Sequence, residues 1–294
     1  MAESQSEVTA IVVTYNSAHV LGTCLDALTI DGMPVIVVDN ASADNTVVLA
    51  EQHGASVLHA PFNEGYGRAN NRGIEASQGA CWCLILNPDL LVEPDTVTRL
   101  LALAQNDPRA GLVVPEIVEH DGRIFDHETS LLSPIAPPLP SPAPAGQSTA
   151  REVAFASGAC MLVRRTVFRE LGGFDENIFL FYEDDDLCLR VRRAGWKILK
   201  ASDVYVHHTR GTSAAPKPGH SYLVRYHQAW SRCYVARKHS VGARTPSFVL
   251  LQALKAFAAI ATFNRRRIER HGGSLAGIWA CLRGRRAFAN EGEV

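Results

Sequence analysis

The sequence predicts an α/β fold with a mostly parallel sheet that is flanked by helices. Segments with the apolar pattern of strands alternate with segments of helical spacing through the first half of the chain. The strand-like segments are apolar throughout, which is typical of parallel strands that are covered on both faces. The chain has 294 residues, of which 47% are hydrophobic and 20% charged, so it is long and apolar enough to bury a core.

The predicted elements follow one another in a regular order. Strands are predicted at residues 8–15, 33–39, 55–59, 81–86 and 111–118. Helices are predicted at residues 18–28, 45–53, 68–77, 94–105 and 165–171. Residues 133–145 are rich in proline and predict an extended, mobile loop over the surface, and the chain becomes basic and helical in character after His208.

Polar residues gather where three of the predicted strands end. In open parallel sheets, ligands bind beyond the carboxyl ends of the strands. We therefore expect a ligand site built from the residues that follow these strands, namely Thr14, Tyr15, Asn16, Asp39, Asn40, Asn87 and Asp89.

Asp89 ends the sequence Asn-Pro-Asp, and two interpretations of this motif remain open. Asn-Pro-Asp is favourable turn chemistry, so the motif can be purely structural. Alternatively, the Asp89 carboxylate is a ligand for Mg²⁺ or Mn²⁺, because such ions bind through one or two carboxylates together with substrate phosphates.

Four consecutive acidic residues, Glu183 to Asp186, begin a predicted helix after an aromatic run. Acidic residues at a helix start complement the helix dipole, which accounts for one or two of the four. Adjacent carboxylates repel one another, and apolar neighbours raise the pKa of a carboxyl group. The motif therefore predicts either an exposed acidic cap or a general base with an adjusted pKa.

His207 and His208 end a strand-like segment downstream of both acidic motifs. A single histidine is usually structural, whereas a pair at a strand end is equally consistent with binding to a metal ion or a phosphate. Both interpretations stay open on the residues alone.

Residues 63–71 form a Gly-rich turn that leads into a helix. The turn lacks the third glycine of the GxGxxG motif and does not follow the first strand, which disfavours a Rossmann dehydrogenase. A loop that brings its backbone and Arg68 close to a diphosphate remains consistent with the sequence.

Taken together, these motifs resemble the family 2 inverting glycosyltransferases of the GT-A fold, especially their bacterial rhamnosyltransferase-like branch. The resemblance spans about residues 8–240 and keeps the expected order, which makes it more specific than any single motif. The matching segments are TAIVVTYNS at 9–17, VVDNASADNT at 37–46, NEGYGRANNRG at 63–73, LILNPDL at 84–90, SGACMLVRR at 157–165, GGFDENIFLFYEDDDLCLRVRRAGW at 172–196 and VHHTRGTS at 206–213.

The resemblance implies which residues bind the nucleotide. Thr14, Tyr15 and Asn16 would line the nucleotide pocket. Asp39 would bond the pyrimidine, with Asn40 beside it.

The resemblance also implies the metal ligands and the catalytic residues. Arg68 would lie near the donor. Asn87 stands at the first position of the family's Asp-x-Asp motif, and Asp89 would hold the metal bound to the diphosphate. Glu183 and Asp184 match the acidic pair that carries the base, for which we choose Asp184. His207 matches a histidine that helps to bind metal or diphosphate, and His208 is the second choice.

The implied reaction is an inverting, metal-dependent transfer of a sugar from a dTDP- or UDP-activated donor. The leading expectation is dTDP-rhamnose as the donor and a cell-surface glycan or lipid-linked acceptor. A sugar nucleotidyltransferase is the alternative enzyme, but it typically has a Gly-rich, basic loop that residues 14–22 lack. A non-catalytic nucleotide-binding protein would require degenerate acidic motifs, and these motifs are intact.

Positive charge is concentrated near the C-terminus, although the whole chain has a net charge of −1. From Arg225 to Asn290 there are thirteen Lys and Arg residues against one acid, Glu269. The apolar segment 248–264 predicts either a helix packed on the body or an interfacial helix on an anionic membrane, which we favour. We divide the chain into a catalytic part at 1–220 and a basic helical part at 221–294.

The chain shows neither a signal peptide nor a spanning segment. Its seven scattered cysteines include no CxxC pair, which indicates a reducing compartment. We therefore expect a cytoplasmic protein at the inner face of the cell membrane. We expect no nucleic-acid partner, and the oligomeric state stays open, with a dimer as one alternative.

Overall fold

The first half of the chain alternates between strands and helices, in a computed structural model that describes residues 7–29, 32–125, 127–135, 150–208, 220–241 and 245–287. Its strands are β1 (Val8–Thr14), β2 (Val35–Asp39), β3 (Ser56–His59), β4 (Trp82–Leu86), β5 (Leu90–Val92) and β6 (Ala110–Glu119). Its helices are α1 (Ala18–Thr29), α2 (Thr46–Gln52), α3 (Tyr66–Ala76) and α4 (Thr96–Asn106). The strands and helices predicted for this half are confirmed, with ends that differ by one or two residues.

The strands β3, β2, β1 and β4 lie side by side in that order and run parallel. Thr14 of β1 is in register with Asp39 of β2, and Val12 of β1 is in register with Leu86 of β4. The carboxyl ends of these strands therefore meet at one edge of the sheet, where the sequence predicts a ligand site.

The other half of the sheet contains strands of both directions. The strand β8 (Cys160–Arg164) runs antiparallel between β4 and β6, and β9 (Lys197–His208) runs parallel to β6. The short strands β5 and β7 (Ala150–Glu152) both pair antiparallel with β9. The sheet is thus mostly parallel, and the C-terminal ends of β4, β6 and β9 point to the same edge as the N-terminal end of β8.

Apolar side chains cover both faces of the sheet. Successive residues of β1 alternate between the two faces, so that Val12 packs in one core cluster and Ile11 in the other. The helix α3 lies close to β1. The contact is so tight that a Cβ atom on Gly73 would come within 2.4 Å of Ile11 Cγ2. The core therefore holds the strand ends in fixed positions at the ligand edge.

The described residues of the second half of the chain form five helices. They are α5 (Arg165–Glu170), α6 (Glu183–Arg193), α7 (His220–Lys238), α8 (Thr245–Ala261) and α9 (Arg265–Leu282). The last three form the basic helical extension that the sequence predicts. The indole nitrogen of Trp230 donates to the Arg285 carbonyl at 3.0 Å, and Ser231 Oγ donates to the Leu180 carbonyl at 2.9 Å, so α7 is tied to both α9 and the body.

Glycines allow α7 and α9 to lie in close contact. A Cβ atom on Gly273 would lie 2.3 Å from the carbonyl oxygen of Tyr222, and one on Gly277 would lie 2.2 Å from that of Tyr226. Both distances are too short for any side chain, so the contact between the two helices depends on these glycines. The division of the chain at residues 220 and 221 stays a prediction.

Two further sequence expectations concern the proline-rich stretch and the membrane. The proline-rich stretch at 133–145 lies almost entirely outside the described residues, which resume at Ala150. No helix within the described ranges combines the length and the apolar character needed to cross a membrane.

Candidate active site

The ends of β1 and β2 are joined through the carboxylate of Asp39. Thr14 Oγ1 donates to Asp39 Oδ1 at 3.1 Å, and the backbone N–H of Ser42 donates to Asp39 Oδ2 at 2.9 Å. The Asp39 residue is 2% exposed, so these bonds fix its orientation inside the edge of the sheet. A carboxylate has acceptor sites for about four hydrogen bonds, so Asp39 keeps the capacity to accept from a ligand.

The two loops that follow β1 and β2 hold each other. The backbone N–H of Asn16 donates to Ser42 Oγ at 2.8 Å, and Asn16 Oδ1 accepts from the N–H of Ala43 at 2.8 Å. Asn16 has a φ of 52°, a left-handed conformation that asparagine tolerates better than most residues. Tyr15, half-buried beside it, donates its N–H to Ser17 Oγ at 3.2 Å.

Asn40 connects the strand edge to the Gly-rich turn before α3. Its Nδ2 atom donates to the Gly65 carbonyl at 3.2 Å, and its Oδ1 atom accepts from the N–H of Glu64 at 3.2 Å. Gly65 has a φ of 85°, and a Cβ atom there would lie 2.3 Å from the carbonyl oxygen of Phe179. The turn therefore requires glycine and joins β2 to the segment that leads into α6.

Arg68 lies in the first turn of α3, after the Gly-rich turn. Its Nε atom donates to the Glu176 carbonyl at 2.8 Å, and its side chain lines a cavity of about 490 Å³ together with Glu64 and Arg72. None of the strand-end residues lines that cavity. The place expected for Arg68 near the donor stays a prediction.

Asp89 lies beside His208 at the other end of the site. The antiparallel register of β5 and β9 pairs Leu90 with His208, and His208 Nε2 lies 3.4 Å from Asp89 Oδ1. Asp89 is 3% exposed and His208 is 9% exposed. The two side chains form a buried pair at the strand edge.

His207 points in the opposite direction and contacts Glu93. Its Nε2 atom lies 3.3 Å from Glu93 Oε1, and both side chains are about half exposed. Successive residues of a strand face opposite sides, so only one of the two histidines can reach Asp89. The structure places the second choice, His208, and not His207, beside Asp89. Which of the two histidines helps to bind a metal ion or a diphosphate stays a prediction.

Asp89 and His208 suit a divalent cation as two of its protein ligands. A carboxylate oxygen and an imidazole nitrogen both bind Mn²⁺, and a nucleotide diphosphate supplies further oxygens. Within the described ranges, His208 Nδ1 is buried without a hydrogen-bond partner. No group of three or more His, Cys, Asp and Glu side chains in these ranges has the arrangement of a metal site, so the remaining ligands would come from the nucleotide or from water.

Asp184 is held at the same edge by the backbone before β8. The N–H of Asn87 donates to the Ala159 carbonyl at 2.8 Å, and the N–H of Gly158 donates to Asp184 Oδ2 at 3.1 Å. The dipeptide Gly158-Ala159 therefore contacts the Asn87 backbone through its carbonyl end and the Asp184 carboxylate through its N–H end. Tyr66 fixes the segment further, because its hydroxyl donates to the Gly158 carbonyl at 2.7 Å.

The four acids at the start of α6 occupy different environments. Asp184 is half-buried, whereas its three neighbours are buried. Asp186 accepts from Arg190 Nε at 2.7 Å and pairs with Lys238 Nζ at 2.6 Å and His239 Nε2 at 2.7 Å. Asp186 therefore joins α6 to α7, and it has a structural role that the sequence did not separate from the others.

The pKa values of the other three carboxyl groups are all raised. Burial, and then the charge of Asp184, raises the pKa of Glu183 well above its usual range. Burial also raises the pKa of Asp184, against the two backbone N–H groups that donate to it. Burial, followed by repulsion from Asp184, raises the pKa of Asp185 to about 7. A carboxylate with a raised pKa is a stronger base, so Asp184 has the electrostatics of a proton acceptor.

The two residues before α6 have an unfavourable backbone conformation, directly before the four acidic residues. Phe181 and Tyr182 have φ angles of 68° and 69°, and neither is glycine. Consecutive left-handed residues of this size are strained, and such strain is concentrated at functional sites.

Tyr182 and Asp184 line a cleft of about 530 Å³ that Phe155, His127 and Arg232 also border. Sequence reasoning did not identify this cleft, because its walls come from four separated segments.

A family model and curated proteins give the same assignment. The model described as Glycosyl transferase family 2 matches residues 9–172. A protein named N-acetylglucosaminyl-diphospho-decaprenol L-rhamnosyltransferase, from Mycobacterium tuberculosis, is 31% identical over 267 residues, covering 80% of this chain and 86% of the relative. A Pre-mycofactocin glycosyltransferase from the same species is 29% identical over 220 residues, covering 71% of this chain and 44% of the relative.

Solved structures share the fold. A mannosyltransferase from Pyrobaculum calidifontis, solved with GDP-Man and Mn²⁺, has a TM-score of 0.59 at 18% identity and covers 94% of this chain and 87% of its own. Residues 1–349 of S. aureus TarS, solved with UDP, have a TM-score of 0.55 at 16% identity, covering 95% and 92%. The chain has the GT-A fold with a helical C-terminal extension, and it belongs to glycosyl transferase family 2.

Proposed function

We propose that this glycosyltransferase moves rhamnose from dTDP-rhamnose to a hydroxyl of a lipid-linked sugar, with inversion at the anomeric carbon. The observation that carries the proposal is the Asp184 carboxylate, which the Gly158 N–H holds at the same strand edge as Asp39 and Asp89. The name of the Mycobacterium tuberculosis relative supports the choice of sugar and acceptor.

The nucleotide would bind at the ends of β1 and β2. Asp39 is oriented by Thr14 and Ser42 and can accept a hydrogen bond from the imide N–H of a thymine or uracil ring. The loops at Tyr15 and Asn16 would border the same pocket. Asn40 would act through its bonds to the Gly-rich turn, which fix the floor of the site.

Asp89 and His208 would hold Mg²⁺ or Mn²⁺, with Asn87 beside them. The ion would supply positive charge that neutralises the nucleoside diphosphate as a leaving group. The buried Asp89 carboxylate and the His208 ring keep this side of the site polar within an apolar core. We retain His207 only as a residue next to the site.

Asp184 would act as the base. Its half-buried carboxylate faces the cleft of about 530 Å³, where an acceptor hydroxyl can approach. It would take the proton of that hydroxyl while the oxygen attacks the anomeric carbon opposite the leaving group. Glu183, buried next to it with a raised pKa, would stay protonated and would support Asp184 without a charge of its own.

A transfer assay with defined donors tests the proposal. Purified protein with Mn²⁺ is incubated with a short-chain polyprenyl diphosphate that carries N-acetylglucosamine, and with dTDP-rhamnose, a UDP-sugar or GDP-mannose. We expect transfer of rhamnose alone, with inverted anomeric configuration by NMR. The true donor should also raise the melting temperature by mass action. Transfer from a different donor, with no turnover of dTDP-rhamnose, would contradict the proposed sugar.

A further inference from the structure

A basic cavity of about 610 Å³ lies between α7, α8 and α9. Five cationic side chains and one histidine line it, namely Arg225, Arg232, Lys255, Arg267, Arg270 and His271. No Asp or Glu is among the lining residues that the structure describes, and the volume is typical of a small-molecule site. This cavity, which we call the basic cavity, has the charge of an anion-binding site.

The cations of the basic cavity repel one another. Burial and then the charge of Arg270 lower the pKa of Arg225. Burial also lowers the pKa of His271, followed by the charges of Arg270, Lys255, Arg225 and Arg267. A bound dianion would relieve this repulsion, because each guanidinium could then donate to its oxygens.

The walls of the basic cavity are ordered by contacts that leave guanidinium donors available. Arg225 Nη1 donates to Gln228 Oε1 at 2.7 Å, and His271 Nδ1 lies 3.1 Å from Gln252 Oε1. The Arg232 guanidinium stacks over the Phe248 ring at 4.2 Å. An arginine has five N–H donors, so one such contact does not exhaust it.

The basic cavity adjoins the cleft that contains Asp184. Tyr182, Gln228 and Arg232 line both of them. A ligand whose anionic group occupies the basic cavity can therefore extend its neighbouring group past Arg232 towards Asp184.

The helix α8 has two different faces at this place. Its inner face carries Phe248, Gln252 and Lys255 into the basic cavity. Its outer face carries Leu250, Leu254 and Phe257, which are 62%, 58% and 72% exposed. An anion site thus lies directly beneath an apolar surface, as the binding of a lipid with an anionic head group requires.

We propose that the basic cavity binds the diphosphate of the lipid-linked acceptor and so presents the first sugar of that acceptor to Asp184. This inference rests on the function proposed above. It assigns Arg267 and Arg270 to the acceptor and not to the nucleotide, whose expected site lies at the strand ends. The apolar face of α8 favours a diphosphate that carries a lipid chain over a free diphosphate.

A matched pair of double variants tests the inference. Arg267→Ala with Arg270→Ala removes two charges from the cavity, whereas Arg265→Ala with Arg266→Ala removes two exposed charges from the same helix outside it. Binding of the N-acetylglucosaminyl polyprenyl diphosphate is measured by calorimetry, with inorganic pyrophosphate and an uncharged alkyl glycoside as comparisons. Melting temperatures show that both variants are folded.

We expect the cavity variant to weaken acceptor binding roughly tenfold or more, while the control variant stays within about twofold and donor binding is unchanged in both. Equal losses in the two variants, or equal binding of the alkyl glycoside, would overturn the diphosphate site. Equal affinity for pyrophosphate and the lipid diphosphate would overturn the lipid-linked source. Binding that depends on the cavity arginines without any rhamnose transfer would sustain this inference and contradict the proposed donor.

Discussion

His208 Nε2 lies 3.4 Å from Asp89 Oδ1, whereas the adjacent His207 turns to Glu93 on the opposite side of β9. The family resemblance favours His207, but only His208 is buried with Asp89. The geometry therefore separates their expected roles.

We expect His208→Ala to weaken the response to Mn²⁺, because it removes a nitrogen ligand beside Asp89. After treatment with EDTA, the Mn²⁺ concentration for half-maximal transfer should rise roughly tenfold or more in this variant. His207→Ala is the control and should respond as the parent protein does. Equal shifts in the two variants, or full activity in EDTA, would show that the Asp89–His208 pair does not bind the metal.

The raised pKa of Asp184 predicts how transfer depends on pH. The base must be deprotonated, so activity is lost as the pH falls through the pKa of Asp184, which burial raises above the ordinary value of about 3.9. A profile of kcat/KM against pH should therefore fall on its acidic side at a higher pH than an aspartate with an ordinary pKa would give. Since Glu183 and Asp185 interact with Asp184, the fall reports the whole group. Activity that stays constant down to the ordinary pKa would contradict this environment.

The raised pKa of Asp185 predicts that the stability of the folded protein depends on pH. Its pKa is about 7 in the folded protein, because of burial and then the charge of Asp184, so the folded state binds the proton more tightly than the unfolded state. The stability from this group is complete below the unfolded pKa of about 4 and is lost as the pH rises through about 7. Asp185→Asn, which stays neutral, should gain roughly 1–3 kcal/mol relative to the parent protein between pH 4.5 and pH 8. Urea unfolding at both pH values measures this difference, and parallel pH dependences in the two proteins would refute it.

Because α7 and α9 lie in close contact, alanine substitutions at two glycines of α9 should have opposite effects on the free energy of unfolding. Gly277→Ala would place a Cβ atom 2.2 Å from the Tyr226 carbonyl oxygen, so the helices must separate. The nearest atom to a Cβ on Gly272 is Tyr222 Cε2 at 4.0 Å, so Gly272→Ala is accommodated. We expect Gly277→Ala to cost roughly 1–3 kcal/mol of unfolding free energy and Gly272→Ala to add up to about 1 kcal/mol through helix propensity. Equal midpoints in urea would show that this contact is not tight.

The local pattern of apolar residues was sufficient to predict the strands and helices in the first half of the chain. Apolar strands and helices of ordinary length carry their period in the sequence, and β1, β2 and β4 were predicted with nearly correct ends. The strand β5 has three residues, which is too short to show a period. The direction of β8 was also not predictable, because an apolar run reads the same in a parallel and an antiparallel strand.

The sequence was sufficient to predict the parts of the site that lie at the ends of single strands. It was not sufficient for the parts that depend on how two distant strands pair. Asp39 and Asp89 follow strands whose carboxyl ends must meet, so their shared edge follows from topology. The choice between His207 and His208 depends on the register of β5 with β9, which joins residues more than a hundred positions apart. The basic cavity likewise depends on how α7, α8 and α9 pack, and the charge count alone did not locate it.

The central claim is that Asp184 takes the proton in the transfer and does not bind the donor. Asp184→Asn keeps the shape of the side chain, and its oxygen can still accept from the Gly158 N–H, which lies 3.1 Å from Asp184 Oδ2. The decisive measurement compares kcat for transfer with the dissociation constant of the nucleotide-sugar in this variant. We expect kcat to fall roughly 10²–10⁴-fold while donor binding changes by less than about twofold. Turnover at the level of the parent protein would contradict the account, and so would a parallel loss of donor binding.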